Sequence, residues 1–217
     1  MKLNLRQRSR RQGARKLAAI LRSLEIRPGR TEVEVACEIL FYGYALGMAD
    51  CSFEPLVASG KRAAIIHGFF SAKKIQPAEM VVVDCGLDYK GYATDMTRTF
   101  FVGKPDKRYL KIYNAVRAAQ RAAIKSIRSG VPAAKVYQQA HAVLKGDKLD
   151  KYFKHAPGHG IGRKVHQPPR LAAKSKAILR SGMVVTVEPG VYIPGWGGIR
   201  IEDMVLVKPT GCEVLTK

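Results

Sequence analysis

Apolar residues recur at helical spacing early in the chain. Leu17, Ile20, Leu21 and Leu24 follow a basic polar stretch and predict a helix over residues 3–24. Pro28-Gly29 breaks it. Thr31 followed by Glu34 has the spacing of a capping box and opens a second helix through Val35, Ile39 and Leu46. The period then shortens. Residues 80–102 hold two β-branched runs, MVVVDCG and YATDMTRTFFV, around a turn at Asp88-Tyr89-Lys90-Gly91, which reads as a hairpin. Asp106 caps a long helix with Tyr109, Ile112, Tyr113, Val116, Ala123 and Ile127 on one stripe, ended by Gly130. Pro132 opens another helix, to about Gly146. A Gly/His/Pro-rich loop and strand at 155–170 follow, then a helix over 174–180. MVVTVEPGVYI, a Gly-rich turn at 195–198 and IRIEDMVLV complete the pattern.

The last stretch repeats the plan of an earlier one. EMVVVDCG…GYATD and GMVVTVEPG…GIRIED each place a carboxylate at the end of a β-branched strand, then a turn, then a second strand with another carboxylate. A duplicated helix-plus-hairpin unit would set two hairpins face to face, with Asp84, Asp95, Glu188 and Glu202 converging on one point. Buried together, four carboxylates repel one another and take up protons. Two divalent cations cancel that charge, and bridging carboxylates hold such ions about 3.5–4 Å apart. Asp203 follows Glu202 directly and belongs to the opposite face of its strand, as a surface or structural acid.

Histidines add to the cluster. Three of the five, His155, His159 and His166, crowd into HAPGHGIGRKVH, and His67 closes the apolar run AIIH. Imidazole suits Zn, Mn, Co or Fe, and the carboxylates favour the harder ions of that set. His141 lies in a helical stripe and receives no role. Other chemistries lack their signatures. There is no GxSxG elbow, no phosphate loop, and GHGIG lacks the third glycine and strand-to-helix setting of a dinucleotide fold. Cys85, beside Asp84, reads as a small core residue rather than a nucleophile.

Composition is ordinary for a globular domain, with 47% hydrophobic and 25% charged residues in 217. Charge is not. Lys plus Arg number 38 against 17 acids, a formal net charge of +21, and ten of the bases fall within residues 1–30, where Glu25 is the only acid. Residues 1–12 read as a basic arm ahead of a single domain at 13–217. The arm offers a tether to nucleic acid or the ribosome, a likeness to an Arg-rich transit peptide, or simply a solvated helix. No apolar run approaches 18 residues, so no membrane span is expected. Four cysteines without a CxxC pair read as free thiols of a reducing cytoplasm.

VDCGLDYKGYATDMTRTF, HAPGHGIGRKVHQPP, TVEPGVY and GIRIEDMVLV resemble the signature blocks of the metallopeptidase family with the pita-bread fold. That family contains methionine aminopeptidase, aminopeptidase P, prolidase and creatinase, and the resemblance spans about residues 10–217. It implies an α+β fold of two pseudo-symmetric halves around a central metal site. It also implies two divalent ions (Mn, with Co or Zn as alternatives) held by Asp84, Asp95, His159, Glu188 and Glu202, with His67, His155 and His166 around them. TDMTRTF, and Arg200 two residues before Glu202, resemble the proline-cleaving branch. The implied activity is hydrolysis of the Xaa-Pro bond of dipeptides or short peptides, with a hydroxide generated between the ions and Glu188 as proton shuttle. His67 and His166 would polarise the scissile carbonyl, and His155, Arg170 and Arg200 would shape the substrate end of the site. The resemblance also implies a homodimer, and the amino-terminal domain of most prolidases has no counterpart. Gln167 stands where the family commonly has Glu. Methionine aminopeptidase activity is the alternative within the family, and a non-catalytic binding protein using its basic surface is the alternative outside it.

Overall fold

A computed structural model describes residues 5–217 of the chain. Helices α1 (Leu5–Ser23) and α2 (Glu32–Ala45) lead into strands β1 (Cys51–Ser59), β2 (Met80–Leu87) and β3 (Met96–Phe101). Helices α3 (Lys107–Lys125) and α4 (Ala133–Gly146) lead into β4 (His159–Gly160), β5 (Gln167–Arg170), β6 (Val184–Val187), β7 (Gly190–Ile193), β8 (Gly197–Arg200), β9 (Asp203–Val207) and β10 (Cys212–Val214). Two helices and then antiparallel strands thus occur twice, as the duplication predicts.

Each half buries its helices on its own strands. Leu17, Ile20 and Leu21 of α1 and Val35 and Ile39 of α2 pack on Val81, Val83 and Cys85 of β2. Val116 and Ala119 of α3 and Val136 and Ala140 of α4 pack on Val185, Val187 and Val205. The predicted apolar stripes are therefore the core faces. The capping box at Thr31 and Glu34 is formed, and Asp106 accepts from the Tyr109 amide to cap α3. Cys85 is fully buried, and no cysteine among the described residues is paired.

Four expectations need correction. The boundary set at residue 12 falls inside α1, which is continuous from Leu5. Ser9 is buried there, the Arg10 guanidinium lies over the Tyr92 ring, and Arg11 pairs with Glu213, so these basic residues are part of the domain. Residues 1–4 of the expected arm lie outside the described residues. Residues 174–180 are not helical. Leu179 exchanges hydrogen bonds with Gly130 and Val131, and Ala177 accepts from Ala133, so this segment satisfies its backbone against the α3–α4 connection instead of itself. Helix α3 stops at Lys125, and Gly130 (φ 86°) turns the chain toward α4. The second hairpin is interrupted: β6 pairs with β9, β7 with β8, and Glu188-Pro189 and Ile201-Glu202 sit at the breaks. Strand β1 was not apparent in the pattern because Pro55 interrupts it. Proline is tolerated on this edge strand, where the register with β2 shifts between Phe53 and Leu56.

The strands form a three-stranded sheet ordered β1-β2-β3, a five-stranded sheet ordered β10-β9-β6-β4-β5, and the β7–β8 ribbon. The halves are stitched where β3 meets β8 and β9. The Thr97 carbonyl accepts from the Glu202 amide at 3.1 Å, and the Thr99 hydroxyl donates to the Arg200 carbonyl at 2.8 Å. This seam brings the acids of the two hairpins together.

Candidate metal centre

Alternation along a strand decides which acids meet. Asp84 in β2 and Asp95 at the mouth of β3 come from the first half. Glu188 and Glu202, at the two breaks of the second hairpin, come from the other. His159 in β4 reaches in between them. Its Nε2 lies 3.6 Å from Asp95 Oδ2 and 3.3 Å from Glu188 Oε1. Asp95, His159 and Glu202 each offer one donor atom, all within 4.8 Å of one another.

The electrostatics are those of a site built for cations. Burial, then repulsion from neighbouring carboxylates, pushes Asp95 and Glu202 well above the usual carboxylate range. Burial raises Asp84 too, against the opposing pull of Arg200. Burial would also raise Glu188, but the hydrogen bond from His159 and the charges of His155, His159 and Arg200 outweigh it and hold Glu188 below its ordinary value. Asp84 Oδ1 and Glu202 Oε1 are buried without a hydrogen-bond partner. Orphaned carboxylate oxygens at the focus of four acids and an imidazole are the donor set of hard or borderline divalent ions, so the residues fit the implied metals.

The surrounding groups orient these donors. The Gly160 carbonyl, 3.0 Å from His159 Nδ1, fixes the proton on that nitrogen and leaves Nε2 turned to the carboxylates. The Thr97 hydroxyl donates to Glu202 Oε2 at 2.7 Å, and the Thr186 hydroxyl donates to Glu188 Oε1 at 3.1 Å. Sequence reading missed both threonines. The available signal was their spacing, since each stands two residues from a site acid on the same strand face. It also missed Tyr192, whose hydroxyl accepts from Arg200 at 2.8 Å and lies 2.9 Å from His155 Nε2. The Ala156 carbonyl, 2.9 Å from Nδ1, places the His155 proton there, so Tyr192 donates to Nε2. Burial pushes the Tyr192 hydroxyl up to about 12, so it keeps its proton, and burial lowers His155, which stays neutral.

All ten residues singled out in the sequence line one cleft of about 750 Å³: His67, Asp84, Asp95, His155, His159, His166, Arg170, Glu188, Arg200 and Glu202. Phe53, Leu56, Ile66 and Phe69 form its apolar wall. The His166 ring sits 4.4 Å from that of His159, and Arg170, exposed, is the β-partner of His159. Arg200 sits differently from a substrate anchor. It is 3% exposed, and its Nε and both terminal nitrogens bind Thr97, Tyr192, the Ile66 carbonyl and Asp84, the last at 2.6 Å. A guanidinium with its donors engaged in this way holds Asp84 in place from behind. His141 stacks on Tyr137 and does not line the cleft. Asp203 is buried and bound by Arg98, Gln120 and Thr216, a structural acid as expected.

Glycines let the chain pass close to His159. A Cβ on Gly158 (φ 148°) would lie 2.1 Å from the Thr186 carbonyl oxygen, and one on Gly160 2.3 Å from that of Pro168. Neither backbone oxygen can swing aside. Gly158→Ala is expected to lower unfolding stability by about 3 kcal/mol, the upper end of overpacking costs. That corresponds to roughly 9 °C in a thermal melt of a chain this size. An unchanged melting temperature would show that the turn before His159 is not tightly packed.

Comparison with known proteins agrees with this geometry. The family model described as metallopeptidase family M24 matches residues 8–209. The chain is 39% identical over 193 residues to the Xaa-Pro dipeptidase of Pyrococcus horikoshii, covering 89% of this chain and 55% of that protein. It superposes on the prolidase from Pyrococcus furiosus with a TM-score of 0.97 at 35% identity, covering 100% of this chain and 65% of that one. For the X-Pro aminopeptidase from Thermotoga maritima the TM-score is 0.96 at 32% identity, with 100% and 62% covered. The chain thus spans about half the length of the curated relative and under two thirds of the solved chains. A family match over most of the chain, laid on this convergence of acids and histidines, establishes that the chain belongs to metallopeptidase family M24.

Proposed function

We propose that the protein is a metal-dependent exopeptidase that hydrolyses the Xaa-Pro bond of dipeptides or short peptides. The observation that carries this reading is the cleft in which Asp84, Asp95, His159, Glu188 and Glu202 converge beside His67, His155 and His166. The relatives named as Xaa-Pro dipeptidase, prolidase and X-Pro aminopeptidase support the choice of bond. The five ligands would hold two divalent ions. When bound, these supply Lewis acidity to the scissile carbonyl and acidify a water toward neutral pH. Manganese is the metal proposed, with cobalt or zinc compatible with the same donors.

The protein's own groups divide the remaining work. Glu188, ionised by its neighbours, takes the proton of the attacking water and returns it to the leaving nitrogen. A proline nitrogen carries no N–H once it is in a peptide bond, so the catalyst must supply the proton it leaves with. His166 is lowered by burial and by neighbouring His159, so it is neutral at working pH. With His67 it donates a hydrogen bond to the carbonyl as negative charge develops there. Phe53, Leu56, Ile66 and Phe69 desolvate the substrate, and Arg170 receives a terminal carboxylate.

The test is hydrolysis after EDTA stripping and readdition of Mn²⁺ or Co²⁺, with an Xaa-Pro dipeptide, an Xaa-Pro-Xaa tripeptide and Met-Ala-Ser as substrates. Metal-dependent cleavage confined to the Xaa-Pro substrates is expected. Cleavage of Met-Ala-Ser alone would replace this reading with methionine aminopeptidase. No cleavage of any substrate, with metal bound, would overturn the enzymatic reading. Within the panel, Arg170→Ala is expected to raise the KM for the dipeptide about tenfold, as one charge-assisted contact is lost, with kcat little changed. An unaltered dipeptide KM would remove Arg170 from the substrate site.

A further inference from the structure

The strands that carry the ligand acids have a second face. Asp95 and Thr97 look into the metal cleft, while Met96, Arg98 and Phe100 alternate to the other side; Glu202 looks in and Asp203 looks out. Behind them, between α1 and α3, lies a separate cleft of about 940 Å³. Arg22 of α1 and Arg117, Arg121 and Lys125 of α3 stand around it, all exposed.

The charge of this cleft is uncompensated. Neither α1 nor α3, each 19 residues long, contains a single Asp or Glu. Among the described residues Arg22, Arg117, Arg121 and Lys125 make no hydrogen bond or ion pair. Asp203, the one acid lining the cleft, is already taken by Arg98, Gln120 and Thr216, and nearby Glu213 is taken by Arg11 and Lys208. Arg117, Arg121 and Lys125 follow one another at four-residue spacing, and like charges so placed oppose the helix that carries them. The helix C-terminus eases that repulsion at Lys125 alone, whereas an anion along the row would offset it at all three positions.

The dimensions and lining select among anions. Eight residues of α3 separate Arg117 from Lys125, about 12 Å along the helix, so one phosphate would meet only one end of the row. A chain of phosphates would meet all of it. Phe100 and Tyr113 also line the cleft, which puts aromatic rings beside the cations. Rings interleaved with a basic track are the recognition mode of unpaired bases on a phosphodiester backbone. We infer that this rear cleft binds single-stranded nucleic acid through Arg22, Arg117, Arg121 and Lys125, with Tyr113 as a stacking surface. The cations of the site come from the last turn of α1 and from α3, outside residues 1–12, and the site stands independently of the peptidase reading.

The test measures anisotropy of a labelled twelve-nucleotide oligo-U against the intact chain across a salt series. Four phosphate contacts predict a slope of log affinity on log salt of about −3, roughly a 50-fold loss between 50 and 200 mM. Arg117→Ala/Arg121→Ala/Lys125→Ala is expected to weaken binding at least tenfold and flatten the slope by about 2. Lys145→Ala/Lys174→Ala/Lys176→Ala removes the same charge from exposed positions elsewhere and is expected to leave binding within twofold. Tyr113→Leu, which keeps an apolar side chain but removes the ring, is expected to weaken binding about tenfold at constant slope. Equal losses in the two triple variants would show attraction to net charge alone and overturn the site. Absence of binding at 50 mM salt would do the same. Displacement of the oligonucleotide by polyglutamate or inorganic polyphosphate at matched charge concentration, with Tyr113→Leu silent, would overturn the nucleic-acid assignment. Thermal melts of every variant identify any that fails to fold, and for such a case Arg121→Gln alone, expected to lower the slope by about 0.7, decides the question.

Discussion

Glu188→Gln is expected to lower kcat for an Xaa-Pro dipeptide by about 1,000-fold, within the range that a positioned proton-transfer group supplies. The amide keeps the shape of the carboxylate and can still accept from the Thr186 hydroxyl, which lies 3.1 Å away. It cannot take up a proton. Two features make Glu188 the acid suited to that work. It is the one carboxylate of the four held below its ordinary value, because His159, His155 and Arg200 outweigh the effect of burial; Asp84, Asp95 and Glu202 are all raised. It also adjoins His159 at 3.3 Å, among the groups that would hold the ions. Metal content measured on the same preparation separates a lost proton shuttle from a lost ligand. A variant that holds most of its Mn²⁺ yet turns over 1,000-fold more slowly supports the shuttle. Wild-type kcat at equal metal content would remove Glu188 from that role.

Glu202→Gln is expected to act on metal binding instead. Glu202 is 1% exposed, with one oxygen held by Thr97 and the other without a partner, the arrangement of a ligand kept ready. Ions that bind only the folded chain stabilise it by about 2.7 kcal/mol at a hundred times their Kd. For a chain of this size that is roughly 8 °C in melting temperature. The wild-type protein is expected to show this shift on addition of Mn²⁺ after EDTA treatment, and Glu202→Gln to show less than a quarter of it. In EDTA the variant is expected to melt no lower than wild type, because it loses one of four mutually repelling buried acids while Thr97 can still donate to the new amide oxygen. An equal Mn²⁺ shift in both proteins would mean that Glu202 is not a ligand.

The helices and the acids were legible in the chain because their signals are local. Leu17, Ile20 and Leu21 repeat at the helical period, Thr31 and Glu34 sit at capping spacing, and the acids stand in otherwise apolar strands. The segment 174–180 misled because an apolar-polar alternation does not say which backbone will accept its hydrogen bonds; here that partner is the turn at 130–133. Strand β1 was hidden because Pro55 is a strand-breaking residue everywhere except at an edge or a bulge, and its edge position is a property of the sheet.

The sequence by itself determined which residue types stand at which alternation, and therefore the two helix-and-hairpin halves, the set of acids and histidines, and the large positive charge. Those follow from periodicity and composition, which need no partner in space. The tertiary structure decided what depends on apposition. It turned Arg200 inward onto Asp84, made Tyr192 the link between Arg200 and His155, and put Thr97 and Thr186 on the site carboxylates. It drew Ser9, Arg10 and Arg11 into the domain, and it aligned the exposed cations of α1 and α3 around one cleft. Residues a hundred positions apart share hydrogen bonds here, and only the packing of the two halves across the β3–β8 seam sets those distances.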